Sequence, residues 1–162
     1  MWTNVFGRQI TAITLPAERK RIMTHIEPYE LWLGHAGDGR NVSAILDNQI
    51  QAVVQLAIEE PLLILPRELI YLCMPLDDGP DNDRVQLRLA VESLLLLLRA
   101  NISTLVCCSA GASRSPAVAS FAIASRDSKS PSECLLAIRK LRGTDISPGL
   151  WQSLLDTFSN PD

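Results

Sequence analysis

The sequence predicts a single-domain α/β protein whose central, mostly parallel sheet is flanked by helices. Short apolar runs alternate along the chain with longer helical patterns, as they do in strand–helix–strand units. The 162 residues, 47% of them hydrophobic, suit one globular domain with a substantial core. No internal repeat or low-complexity linker divides the chain. We therefore assign residues 1–24 to an N-terminal extension and residues 25–162 to the domain.

The first half of the domain is predicted to contain three strands and one short helix. The strands are short apolar runs; the first stops at Gly34, and the third ends before Pro75. The segments that follow these two strands are rich in turn-forming residues and are predicted to be loops. In chain order the elements are the strand 29–34, the loop 35–41, the helix 42–51, the strands 51–57 and 68–74, and the loop 77–83.

The second half is predicted to contain four helices and one buried strand. Asp81, Asn82 or Asp83 can cap the first of these helices. Ser130 and Glu133 have the spacing of a capping box at the start of the third. In chain order the elements are the helix 85–100, the strand STLVCC (103–108), and the helices 115–125, 130–143 and 147–158.

Composition and charge exclude several classes of function. A net charge of −3 leaves no basic footprint for nucleic acid or an anionic membrane surface. The most apolar run, at 94–98, is too short to cross a bilayer, and the first residues do not resemble a secretory signal. Four cysteines without a CxxC pair favour a reducing, cytoplasmic location. His25 and His35 are not spaced as metal ligands, so no metal site is expected.

The segment VCCSAGASRSPAVA, at 106–119, joins a thiol, a loop of small residues and an arginine between a strand and a helix. At such a junction the backbone N–H groups and the helix dipole form a concavity that binds anions. Gly111 lets the loop turn tightly, and a thiolate at Cys108 is itself an anion that the concavity stabilises. Arg114 can grip a tetrahedral oxyanion through two hydrogen bonds. These residues together indicate covalent phosphoryl transfer.

CSAGASRS, at 108–115, resembles the signature loop of the dual-specificity protein phosphatases, within the cysteine-dependent protein tyrosine phosphatase superfamily. The family pattern is His-Cys, two variable residues, Gly, two variable residues, Arg, and then Ser or Thr. The resemblance implies a protein tyrosine phosphatase-like fold in which Cys108 forms a phosphocysteine and Arg114 stabilises the transition state. It also implies that the Ser115 hydroxyl hydrogen-bonds the sulfur. The residues implied to bind phosphate are Ser109, Ala110, Gly111, Ala112, Ser113 and Arg114.

The family also has a general acid on a loop upstream of the nucleophile. YLCMPLDDG, at 71–79, is similar to that segment, in which the acid follows a tyrosine by seven residues. Counting from Tyr71 gives Asp78, with Asp77 as the adjacent alternative. Asp81 and Asp83 are assigned to capping or to solvent. The acid must lie within hydrogen-bond reach of the leaving oxygen, a condition for the fold to meet.

The resemblance implies a phosphatase that needs no cofactor, because thiolate, arginine and aspartate suffice. The loop contains no lysine and the protein is acidic, which favours phosphotyrosine or phosphoserine/threonine in proteins over highly charged lipids or RNA ends. Short chains of this family usually have shallow clefts, which favours dual specificity. The implied partner is a phosphorylated protein.

Cys107 stands where the family has a histidine that supports the loop. The departure leaves open a phosphoprotein-binding pseudophosphatase with little turnover. A rhodanese-like sulfurtransferase, which needs no upstream acid, is a further alternative. Cys107 and Cys73 also suggest the hypothesis of a reversible disulfide with Cys108, although small buried thiols without a redox role are the simpler interpretation.

Overall fold

The computed structural model describes residues 23–159, which form a five-stranded sheet with helices on both faces. The strands are β1 (Thr24–His25), β2 (Leu31–His35), β3 (Ala52–Ala57), β4 (Ile70–Leu76) and β5 (Thr104–Cys108). Their order across the sheet is β1-β2-β5-β3-β4. β1 is antiparallel to β2, and the other three pairs are parallel. The predicted α/β fold with a mostly parallel sheet is confirmed.

The sheet divides the core into two parts, and helices pack on both faces. The helices are α1 (Ala36–Arg40), α2 (Val42–Asp47), α3 (Arg84–Arg99), α4 (Arg114–Asp127), α5 (Pro131–Leu141) and α6 (Pro148–Ser159). The larger core lies against α3, α4 and α6 and includes Val106 and Cys108 of β5. The smaller core lies on the other face and includes Leu105 and Cys107. Successive residues of β5 therefore point to opposite faces of the sheet, as the pleat requires.

Helix α4 is buried along most of its length. All residues from Arg114 to Ala124 are buried, and each large aliphatic side chain among them stabilises the fold by about 1.5–3 kcal/mol. Asp83 caps α3 through its Oδ1, which accepts from the N–H of Val85 at 2.7 Å. The Ser130–Glu133 capping box of α5 is also present. These caps match the sequence prediction.

The predicted loop at 35–41 is wrong, because its residues form helix α1. The His35 side chain accepts from the N–H of Asp38, and Asp38 Oδ2 accepts from the N–H of His35 at 2.9 Å. This reciprocal cap offsets the low helix propensity of two glycines. Gly39 is also required by packing, because a Cβ there would lie 2.9 Å from Cys107 Sγ.

Among residues 23–159, no helix has the length and apolar character needed to span a membrane.

Two smaller expectations also need correction. β4 runs through Pro75 to Leu76, because an edge strand can contain a residue that donates no hydrogen bond. The two-residue strand β1 includes Thr24, which the sequence analysis assigned to the N-terminal extension, and Met23 is buried beside the smaller core. The remainder of that extension, residues 1–22, lies outside the described residues.

Candidate active site

Cys108 is the last residue of β5, at the carboxyl edge of the parallel strands. In the sheet Cys108 pairs with His35 of β2. The preceding residue, Cys107, pairs with Gly34 of β2 and with Gln55 of β3. Cys108 is only 2% exposed and belongs to the larger core beneath α4. The carboxyl edge is where open α/β sheets bind ligands, so β5 delivers the predicted nucleophile to the expected place.

Residues 109–113, here called the signature loop, are fixed by hydrogen bonds to their carbonyl groups. The Ser109 carbonyl accepts from the N–H of Ala36 at 3.1 Å, and the Ala112 carbonyl accepts from the N–H of Asp145 at 2.8 Å. In a trans peptide the C=O and the following N–H point in opposite directions. The N–H groups that follow these two carbonyls therefore point away from the neighbouring segments.

Gly111 makes the turn of the signature loop possible. Its φ is +70°, a conformation that strains residues with a Cβ. A Cβ at this position would lie 2.7 Å from the Gly34 carbonyl oxygen and 2.7 Å from Arg142 Nη2. Arg142 itself donates through Nη1 to the carbonyl of Leu33. Any residue with a Cβ would therefore be strained here, both by the backbone conformation and by the lack of space.

Arg114, the first residue of α4, is held by Glu59 behind the signature loop. Arg114 is 3% exposed, and Nη1 donates to Glu59 Oε2 at 2.6 Å and to the Leu76 carbonyl at 2.9 Å. Nη2 donates to Glu59 Oε1 and to Ser109 Oγ, the latter at 3.2 Å. Nε is buried and has no hydrogen-bond partner among residues 23–159. The guanidinium is thus locked in place with one N–H uncommitted.

Glu59 is the site residue that sequence reasoning missed. Besides Arg114, it accepts a hydrogen bond from Ser109 Oγ at 2.6 Å. The Arg114 hydrogen bonds, supported by that from Ser109, lower the pKa of Glu59 from 4.5 to about 2. The available signal was a pair of glutamates (59–60) one residue after the end of β3, at the same edge of the sheet as Cys108.

Of the two candidate acids, Asp78 is the one whose carboxylate contacts the signature loop. Ser113 Oγ donates to Asp78 Oδ1 at 2.6 Å. Asp77 is held through its backbone, since its N–H donates to Asn82 Oδ1 at 2.8 Å and its carbonyl accepts from Asn82 Nδ2 at 2.9 Å. The geometry therefore favours Asp78, the residue chosen from the spacing to Tyr71. Asp83 is the cap of α3.

The Ser115 hydroxyl is completely buried in the first turn of α4. It has no hydrogen-bond partner within the described part of the chain. Its contact with the Cys108 sulfur is therefore not formed here and stays a prediction for the phosphorylated intermediate. Ser115 and the Arg114 Nε are two buried polar groups on adjacent residues, and buried polar groups without partners are uncommon away from functional sites.

Cys107 is close to Cys108 in sequence but lies on the other face of the sheet. It is 1% exposed, and burial raises the pKa of its thiol to about 12, so the thiol is neutral at ordinary pH. Cys73 pairs with Gln55, which in turn pairs with Cys107, so Cys73 shares the Cys107 face. This arrangement opposes the hypothesis that Cys108 forms a disulfide with either residue, because a disulfide requires converging Cβ atoms.

The predicted site residues thus converge on one edge of the sheet. Within residues 23–159, no group of three or more His, Cys, Asp or Glu side chains could hold a metal ion. The site combines a buried cysteine, amide groups of a tight loop, a locked arginine and a carboxylate. Such a set can bind a tetrahedral oxyanion over a nucleophile and supply a proton beside it.

Comparisons with known proteins show which fold the chain shares. No protein-family model and no curated sequence matches the chain. Solved structures match, among them human DUSP28, with a TM-score of 0.74, 22% identity and coverage of 84% of this chain and 95% of that one. A mouse putative dual specificity phosphatase complexed with zinc tungstate has a TM-score of 0.76, 20% identity and coverage of 91% and 93%. Human tyrosine phosphatase-like serine/threonine/tyrosine-interacting protein has a TM-score of 0.73, 20% identity and coverage of 86% and 97%.

The chain therefore has the fold of the dual-specificity phosphatases. The fold and the resemblance predicted from CSAGASRS are confirmed. At identities near 20% the likeness concerns the fold, so activity and residue roles must be argued from the site itself.

Proposed function

We propose that this protein is a cysteine-dependent phosphatase that hydrolyses phosphate monoesters of protein side chains through a phosphocysteine. In the first step the Cys108 thiolate attacks phosphorus, the P–O ester bond breaks, and Asp78 donates a proton to the leaving oxygen. In the second step water attacks phosphorus, the P–S bond breaks, and a proton of that water passes to Asp78. Inorganic phosphate and the free thiolate result, and no cofactor is consumed.

The observation that carries this proposal is the convergence of Cys108, Arg114 and Asp78 around the signature loop. The geometry supports an arrangement in which the loop amides and the Arg114 Nε–H bind the phosphoryl oxygens. Glu59 occupies the other side of the guanidinium, so the arginine is oriented before substrate arrives. Preorganised donors of this kind are usually the largest contribution to catalysis.

A phosphorylated protein is the proposed substrate, with phosphotyrosine and phosphoserine/threonine both included. The absence of lysine from the loop sequence supports this class, and so does the structural likeness to a mouse putative dual specificity phosphatase. Another neighbour of the same fold, PTPMT1, is known in complex with PI(5)P. A phosphoinositide is therefore the substrate to test against phosphopeptides.

The test is hydrolysis of phenyl phosphate, whose leaving phenolate needs a proton, by wild type, Cys108→Ser, Asp78→Asn and Asp77→Asn, without added metal. We expect Cys108→Ser to abolish activity and Asp78→Asn to reduce it by about 10²–10⁴-fold. Asp77→Asn is the matched control and should retain nearly full activity. Phosphopeptides and PI(5)P vesicles then compare the substrate classes. Activity that survives Cys108→Ser would refute the mechanism.

A binding function without turnover is the second candidate, favoured by the replacement of the family histidine with Cys107. A neutral, buried thiol on the far face of the sheet cannot supply the charge of a histidine and forms only weak hydrogen bonds. If wild type and Cys108→Ser were equally inert yet bound vanadate, this candidate would replace the first. Sulfur transfer from thiosulfate to cyanide, unaffected by Asp78→Asn, would instead favour a sulfurtransferase.

A further inference from the structure

The Ser113 hydroxyl connects three separate segments around the signature loop. Its Oγ donates to Asp78 Oδ1 at 2.6 Å and accepts from the N–H of Ser147 at 3.0 Å. Ser113 is 7% exposed. A hydroxyl has one proton, and the Ser147 N–H occupies an oxygen lone pair, so that proton is directed at Asp78.

Ser113 stands at the N-cap position of α4 but does not cap the helix. Its side chain makes no cap hydrogen bond, whereas Ser130 and Asp83 at the equivalent positions of α5 and α3 both do. A serine at this position normally stabilises the helix by bonding the first-turn N–H groups. Ser113 is instead committed to the loop that contains Asp78, and the first turn of α4 is left facing the signature loop.

The backbone around Asp78 is fixed by other residues, so within this loop Ser113 acts on the carboxylate alone. Asn82 Nδ2 donates to the carbonyls of Asp77 and Gly79, at 2.9 Å and 3.0 Å. Ser153 Oγ donates to the Pro80 carbonyl at 3.1 Å. Asp78 itself is exposed, and an exposed side chain has several rotamers to choose from. The hydrogen bond from Ser113 selects one of them.

We propose that Ser113 is a positioning residue that aims the general acid, an inference that rests on the proposed phosphatase function. Oδ1 of Asp78 accepts from Ser113 while Oδ2 carries the proton. Oδ2 gives that proton to the leaving oxygen in the first step and takes one from water in the second. The resemblance to the family implied only phosphate binding for Ser113. In this proposal the Ser113 hydroxyl binds Asp78, and only the Ser113 backbone N–H is left to bind phosphate.

The proposal predicts a dependence on the leaving group that a structural role would not produce. Phenolate needs a proton to leave, whereas 4-nitrophenolate leaves readily without one. Ser113→Ala should therefore lower kcat/KM for phenyl phosphate by about tenfold, the value of one hydrogen bond. The same variant should change kcat/KM for 4-nitrophenyl phosphate by less than about threefold. Ser113→Thr retains the hydroxyl and should restore the ratio of the two substrates.

A double variant completes the test. In the Asp78→Asn background, Ser113→Ala should cause no further loss on phenyl phosphate, because the group that it positions is gone. Equal losses on both substrates, or losses that multiply in the double variant, would overturn the proposal. Thermal unfolding and vanadate affinity check the fold, and Ser113→Gly removes the same hydroxyl should the alanine variant unfold. A wild type inert towards both substrates overturns the phosphatase function as well, so the two failures are distinguishable.

Discussion

Replacing Glu59 with glutamine tests the ion pair that orients Arg114. The substitution keeps the size and one acceptor oxygen of the side chain but removes its charge. Arg114 is 3% exposed, so its guanidinium loses a charged partner where water cannot replace it. Breaking a fully buried pair costs about 3–5 kcal/mol. The Glu59 side chain, however, is 51% exposed, and solvent screening reduces the expected cost.

The pKa of Glu59 gives the magnitude and the pH window. A fall from 4.5 to about 2 corresponds to about 3 kcal/mol without screening, and screening at a half-exposed carboxylate leaves about 1–2 kcal/mol. Because the folded-state pKa is depressed, this stability is fully present above pH 4.5. It is lost as the pH falls towards 2, where the carboxylate is protonated in the folded state as well.

Urea unfolding of wild type and Glu59→Gln at pH 7 and pH 3 measures the effect. We expect Glu59→Gln to be less stable than wild type by about 1–2 kcal/mol at pH 7, with most of that difference gone at pH 3. Glu68→Gln, the same substitution at an exposed position before β4, is the matched control and should differ little at either pH. A difference that is zero at pH 7, or equally large at pH 3, would refute the reasoning.

Three further predictions concern the loop and its surroundings. Gly111→Ala should lower the free energy of unfolding by about 2 kcal/mol or more, because of the positive φ and the contact with a backbone carbonyl. Gly143→Ala, whose added Cβ would meet open space, is the control and should be nearly neutral. Thermal unfolding and vanadate affinity test both variants. Cys107, whose pKa of about 12 keeps the thiol protonated, should resist iodoacetamide from pH 6 to 9 in the folded protein. Mass mapping measures the labelling, and rapid modification of Cys107 would contradict its burial. Tyr71→Phe should destabilise the fold by about 1 kcal/mol, because the Tyr71 hydroxyl bonds the side chain of Gln55 and the N–H of Leu63, and unchanged urea unfolding would speak against that role.

The secondary structure followed closely from local signals where those signals were strong. The strand–helix alternation, the Asp83 cap and the Ser130–Glu133 box act within a few residues of each other, so their physics is visible in the sequence. Helix α1 was missed because two glycines and an asparagine dominate 35–41. The side chain that starts this helix is His35, which is not a usual capping residue.

The sequence by itself determined the chemistry of the candidate site and the order of its parts. Cys108, Gly111 and Arg114 lie in one continuous segment, and a loop that joins a strand to a helix needs little more than those residues to form. The tertiary structure alone decided which distant groups meet that loop. Glu59 follows β3 and Asp78 follows β4, and both reach the loop because the parallel strands all end at the same edge of the sheet. Ser147, which precedes α6, joins them through its N–H bond to Ser113. The sheet pleat, in the same way, separated Cys107 from Cys108 by placing adjacent side chains on opposite faces.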